Sequence, residues 1–144
     1  MFTSILVAVD GSKHAMDAVA AAVSIAQFSG GHLTLVTVPQ PVMISAIEGT
    51  MSYPMPYDKD DLDRDAKKTL KSSLALVPDA LTARTTTSII YGDPAHAIVE
   101  KAAEMDADLI VLGRRGLGSL MGILLGSTSS KVSQLAPCAV LTVK

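Results

Sequence analysis

One cysteine, Cys138, stands in a chain of 144 residues, so no internal disulfide framework is available. The charge surplus of a nucleic-acid or membrane-surface protein is also missing. Formal net charge is −2, the pI is near 5.8, and the twelve basic residues are scattered rather than striped. No apolar run approaches the ~20 residues of a membrane-spanning helix. The opening "MFTSILVAVD" has neither the basic start nor the cleavage site of a secretory leader. These absences predict a cytoplasmic protein without nucleic-acid or membrane partners.

What is present is apolar material in short runs. Hydrophobic residues make up 49% of the chain, enough for one substantial core in a single domain over 1–144. Five runs read as strands: "SILVAV" (4–9), "LTLVTV" (33–38), "ARTTTSII" (83–90), "LIVLG" (109–113) and "AVLTV" (139–143). Between them apolar residues recur at helical spacing. Ala15, Val19, Ala22 and Ala26 form one stripe, Leu62, Ala66, Leu70, Leu74 and Val77 a second, and Ile98, Ala102 and Met105 a third. Asp93-Pro94 reads as an N-cap followed by proline at the first helical position, and Ser29-Gly30-Gly31 as the end of the first helix.

Alternating strand and helix predicts a doubly wound α/β domain, a five-stranded parallel sheet with helices on both faces. Strands one and four are almost wholly apolar and suit the centre, whereas "ARTTTSII" alternates and suits an edge. The order 3-2-1-4-5 satisfies both. In that order the winding reverses between strands one and four, where ligands of open α/β sheets sit beyond the carboxyl ends of the strands. "DGSKH" follows the first strand, and the glycine-rich "LIVLGRRGLGSLMGILLGSTSSKV" (109–132) contains the fourth.

Gly113, Gly116, Gly118 and Gly122 crowd the exit of that strand, and Gly126 precedes four hydroxyl residues. A helix starting near Gly126-Ser127 would present unpaired N–H groups and partial positive charge to phosphate oxygens, with Ser127, Thr128 and Ser129 as added donors. Capping by Ser127 or Thr128 is the plainer account of the hydroxyls, and a flexible surface loop that of the glycines. Asp10 likewise has two readings, a ligand at a strand end or ordinary Asp-Gly turn chemistry.

Gly113-2x-Gly116-9x-Gly126-Ser127 resembles the G-2x-G-9x-G-[S/T] signature of the ATP-binding branch of the universal stress protein family. The similarity spans the chain, from "ILVAVDGS" through "GDPAHAIVEKAAEMDADLIVLGRRG" to "APCAVLTVK". It implies a dimeric ATP-binding domain, with magnesium or manganese as the candidate counter-ion. By position, Gly113, Gly116, Gly126, Ser127 and Thr128 would hold the phosphates. Leu112 would supply backbone at the ribose, and Asp10 with the backbone of Val38 would face ribose and adenine. Arg114 and Arg115 depart from the small or polar residues often seen there; Arg115 is assigned to the phosphates, with an exposed loop position as its alternative. The implied role is a nucleotide-dependent regulatory or interaction module with an unidentified protein partner. An ATP-consuming hydrolase and an interaction domain with an unused pocket are the alternatives.

Other signals fall away on their chemistry. A Walker A loop needs lysine directly after the closing glycine, where Ser127 stands. "SGGH", similar to the glycine loop of ATP pyrophosphatases, precedes strand two and so lies at the wrong end of the sheet. A phosphoryl-accepting receiver would need an aspartate ending strand three, where Tyr91-Gly92 stands. The run "DKDDLDRD" fails as a calcium loop because Ala66 and Ser72 occupy the positions of the required glycine and glutamate; solvated carboxylates at a helix start account for it. His14, His32 and His96 lie on separate elements without ligand spacing, and Cys138 reads as a small buried hydrophobe. Residues 39–57 form a long connection whose Met43, Ile44, Ile47 and Met51 favour a cover over the nucleotide, with disorder as the alternative. The last strand, with Pro137 before it and Lys144 after it, presents an open edge and predicts a homodimer through 139–143.

Overall fold

A computed structural model describes residues 1–41, 58–116 and 126–144. The suggested cover at Met43, Ile44, Ile47 and Met51, and the glycines Gly118 and Gly122, therefore lie outside the described residues. The element order is β1 (Ser4–Ala8), α1 (Lys13–Ser29), β2 (His32–Thr37), α2 (Lys59–Leu74), α3 (Asp79–Thr82), β3 (Thr85–Ile89), α4 (Pro94–Glu104), β4 (Leu109–Gly113), α5 (Ser127–Leu135) and β5 (Ala139–Val143). All pairings are parallel and the order is β3-β2-β1-β4-β5, as the apolar patterning predicts.

The central position of β1 follows from its composition. Ile5, Leu6 and Val7 are all fully buried, and their alternation sends Ile5 and Val7 to one core and Leu6 to the other. The first core is closed by α1, α2 and α3 through Val19, Leu70 and Leu81, and the second by α4 and α5 through Ile98 and Val132. Each such aliphatic side chain contributes about 1.5–3 kcal/mol on burial. At the edge, β3 keeps the consecutive Thr86 and Thr87 exposed, one on each face, so it takes the predicted edge position although its burial does not alternate.

Local chemistry sets the ends. Gly30 closes α1 at φ 74° and its N–H donates to Ala26 O, while the Asp93 side chain caps α4 by accepting from His96 N, with Pro94 in the first turn. Two expectations shift. Leu74 ends α2 and is 37% exposed, so the second stripe keeps Ala66 and Leu70 in the helix and recovers Val77 only beyond it. Cys138 is half-buried against the second core rather than enclosed, and burial pushes its thiol pKa up.

Candidate functional site

The exit of β1 is a turn built by its own side chains. Asp10 Oδ1 accepts from Ser12 N at 2.9 Å, Gly11 takes φ 85°, and Ser12 Oγ caps α1 by accepting from Ala15 N at 3.2 Å. The turn reading of Asp10 is therefore realised by one oxygen. The other, Oδ2, occupies the space that a Cβ on Gly116 would enter, so the exits of β1 and β4 meet across this carboxylate.

The β4 exit is pinned in the same way. Arg114 N donates to Val143 O at 2.7 Å, while Arg114 O accepts from Gly126 N at 2.8 Å and from Ser129 Oγ at 2.9 Å. Ser129 is 2% exposed and its hydroxyl also lies 3.0 Å from Gly126 O. Its one proton is thus committed to backbone, and Ser129 drops out of the predicted set of free hydroxyl donors. Helix α5 begins with Gly126 as N-cap, which has no side chain to cap with, so neither Ser127 nor Thr128 plays the capping role. The first N–H groups of such a helix have no intrahelical partner.

The three framework glycines differ in what they permit. A Cβ on Gly113 would stand 2.8 Å from His14 C and 2.9 Å from Ala15 N, so this glycine lets α1 lie directly on β4. On Gly116 it would overlap Asp10 Oδ2, and on Gly126 it would stand 3.2 Å from Arg114 O. Close packing thus accounts for Gly113 without any ligand.

A cavity of about 550 Å³ opens at the carboxyl ends of β1, β2 and β4. Asp10, Val38, Leu112, Gly113, Arg115, Gly116, Gly126, Ser127 and Thr128 all line it. The volume lies within the range of small-molecule sites, roughly 300–1,000 Å³. Arg115 is half-buried, and its Nε is buried with no hydrogen-bond partner among the described residues, which contradicts the exposed-loop alternative.

One wall escaped the sequence reading. Leu62, Asp65, Ala66 and Thr69 of α2 line the cavity, although the sequence reading places Asp65 among the solvated carboxylates. Their spacing of three, four and seven residues is a single helix face, and that period, followed through its polar members, is the signal that reveals it. Asp60 and Asp61 do sit in the first turn of α2, where carboxylates complement the helix dipole. Pro39 and Gln40 also reach the cavity, and Gln40 Nε2 donates to Gly92 O at 3.2 Å, tying the β2 exit to the approach of α4.

At the rim, Asp93 accepts from both the ring Nδ1 of His96, at 2.8 Å, and its backbone N–H, at 3.2 Å; these bonds, with Lys131 3.9 Å away, hold its pKa below the usual carboxylate value. No helix of the described residues is long and apolar enough to cross a membrane.

Fold and cavity together define a doubly wound α/β domain with a cavity at its topological switch point. The model of the Universal stress protein family matches residues 1–144, and the chain belongs to that family. It is 38% identical over 144 residues to a universal stress protein of Thermus aquaticus and 34% identical over 148 residues to universal stress protein YxiE of Bacillus subtilis, with both chains fully covered in each case. Among solved structures, a universal stress protein in complex with cAMP superposes with a TM-score of 0.73 at 28% identity, covering 99% of this chain and 97% of that one. The Archaeoglobus fulgidus universal stress protein in complex with dAMP superposes with a TM-score of 0.72 at 25% identity, covering 99% and 98%.

Proposed function

We propose that this chain is a cytoplasmic ATP-binding regulatory module, with the nucleotide in the switch-point cavity and its phosphates at the start of α5. The observation that carries this reading is the uncapped N-terminus of α5, whose first residues, Gly126, Ser127 and Thr128, line the same cavity as Val38 and Asp10. Nucleotides bound by the two structural neighbours support it. Leu112 and Val38 offer backbone on the nucleoside side, and Arg115 is the cation at the phosphate side.

The residues also fit a magnesium or manganese counter-ion. Asp10, which the resemblance assigns to the ribose side, has its Oδ2 beside Gly116 of the phosphate set, and a carboxylate oxygen there would suit a hard cation. No group of three His, Cys, Asp or Glu side chains gathers among the described residues, so phosphates and water would complete its shell. Such an ion would neutralise phosphate charge, Asp10 would be its protein ligand, and the α5 amides would position the phosphates.

Titration calorimetry with ATP tests the site. Gly126→Val places a branched side chain against Arg114 O and is expected to abolish binding in a folded protein. Ser127→Ala removes a charge-assisted hydrogen bond of roughly 1.5–3 kcal/mol. Parent-like affinity in folded Gly126→Val would place the phosphates elsewhere.

We propose further that the protein is a homodimer through β5, which pairs only with β4 among the described residues. Val140 packs against the second core and Leu141 and Val143 against the first, so the interface is the backbone edge rather than these side chains. An unpaired row of N–H and C=O groups is a template for a second copy related by a two-fold axis.

A further inference from the structure

The sheet has a second open edge at β3, which pairs only with β2 among the described residues. Arg84 O accepts from Leu33 N at 2.9 Å and Ile90 N donates to Thr37 O at 3.0 Å, so the alternate residues Thr85, Thr87 and Ile89 turn their N–H and C=O groups outward. Thr85–Ile89 holds no charge and no proline, the usual protections of an edge. At the exit of this strand a cavity of about 190 Å³ lies between Ile90, Tyr91 and one face of α4, formed by Ala97, Glu100, Lys101 and Glu104. It is smaller than the roughly 300–1,000 Å³ of small-molecule sites and suits a single side chain. Lys101 Nζ lies 3.1 Å from Glu104, Glu100 has no ion pair among the described residues, and Arg84, just before the strand, donates away to Gly31 O. Two glutamates against one lysine leave a negative charge in excess.

We propose that the β3 edge docks an extended segment of another protein, which adds a sixth strand and places one arginine or lysine in the acidic cavity beside α4. Main-chain hydrogen bonds to Thr85, Thr87 and Ile89 supply the attachment, and the cavity supplies the choice of side chain. Successive side chains of an added strand alternate between the faces of the sheet, so every second one is turned toward α4. Glu100 is exposed and meets the incoming cation without rearrangement of the core. A second copy of this chain is the poorer occupant, because neither of its edge strands, Thr85–Ile89 and Ala139–Val143, carries a basic residue to fill the cavity. This edge is the one opposite β5, so the docking is independent of the homodimer and of the nucleotide site.

Titration of the full chain, followed by amide NMR at low salt, tests the edge with a capped seven-residue peptide of alternating valine and threonine with arginine at its centre. A second peptide with glutamate at the centre is the control. The arginine peptide is expected to shift the amides of Thr87 and Ile89, to slow their hydrogen exchange, and to bind at least about fivefold more tightly than the control. Glu100→Gln is expected to weaken the arginine peptide about threefold and to leave the control within about twofold. Thr87→Pro removes an outward N–H while sparing the β2 ladder, and is expected to abolish binding of both peptides. Equal binding of the two peptides, affinity unmoved by Glu100→Gln, or Thr87 and Ile89 amides that do not respond would overturn the proposal. Self-association that Thr87→Pro abolishes, without peptide binding, would seat a second copy on this edge and overturn it as well.

Discussion

Replacing each framework glycine with alanine separates packing from ligand contact. At Gly113 the new methyl meets backbone, His14 C at 2.8 Å and Ala15 N at 2.9 Å, where carbon contacts are comfortable at about 3.5–4.0 Å. Backbone in the first turn of a helix cannot swing aside, so α1 must retreat by most of an ångström. Ala15, Ala18 and Ala22, at most 2% exposed, are seated on the sheet through that helix. Overpacking of this kind costs about 1–3 kcal/mol. Because Gly113 is not left-handed, reduced freedom of the unfolded chain returns about 0.4–1 kcal/mol. The expected net loss is roughly 1–2 kcal/mol in urea denaturation. At Gly116 the methyl meets the end of the Asp10 side chain, which can rotate away. Moving Asp10 gives up its bond from Ser12 N, so stability is expected to fall by about 0.5–1.5 kcal/mol without loss of the fold, while ATP affinity drops because Asp10 leaves the cavity. A Gly113→Ala protein as stable as the parent, or a Gly116→Ala protein that unfolds while Gly113→Ala does not, would refute this assignment of roles.

Backbone direction in β5 gives a dimer test. Val143 O accepts from Arg114 N on the β4 side, so alternate residues, Val140 and Thr142, point their N–H groups outward. Thr142→Pro should therefore spare the β4 ladder and halve the mass seen by light scattering; an unchanged dimer would exclude this edge. ATP turnover, if present, is expected well below the ~10 s⁻¹ median of enzymes, and steady turnover at that rate by contaminant-free protein would exclude the regulatory reading. Asp93, with its pKa lowered first by the His96 side-chain bond, contributes stability that is complete above the ordinary carboxylate value and is lost as pH falls through its depressed one. Asp93→Asn should flatten that acid-side dependence in a helix-content titration, and an identical acid limb would show that the carboxylate does not contribute.

Element order and sheet order were legible because each strand carries its own burial in its composition: Ile5-Leu6-Val7 admits only a centre, and Thr85-Thr86-Thr87 only an edge. The caps were legible because Asp93-Pro94 and Ser29-Gly30 are local chemistry. Chain position brought out Asp10 and the glycine and hydroxyl turn around β4 and the start of α5, whereas Val38 and Leu112 entered only through the family resemblance. What stayed hidden depends on through-space neighbours. Asp65 stands apart from Asp61 and Asp63 only when the Leu62–Ala66 period is followed through its polar members, and which neighbour that face meets is fixed only when α2 is laid on the sheet. The commitment of the Ser129 hydroxyl to Arg114 O, fifteen residues away, is equally invisible, because a serine one turn into a helix reads the same whether it faces a ligand or a carbonyl.

Asp10 shows why turn chemistry and ligand chemistry need not compete at this kind of site. A carboxylate has two oxygens with separate lone pairs. Here Oδ1 is spent on Ser12 N, which fixes the side-chain torsion, and that fixed torsion is what delivers Oδ2 to Gly116. The next residue but one, Ser12, caps α1, and its Oγ lies 3.5 Å from Arg115 O, so the same short turn anchors the helix and touches the opposite loop. Gly113 lets that helix lie against β4, which draws the two strand exits close enough for such contacts. The cavity is therefore framed by residues that the fold already requires. An asparagine at position 10 retains both the Ser12 contact and the steric fit beside Gly116, but it carries no charge. Asp10→Asn is accordingly expected to leave the turn and the stability within about 0.5 kcal/mol while weakening the magnesium dependence of ATP binding. Loss of folding in this variant would mean that the charge, rather than the shape of the turn, holds the β1 exit.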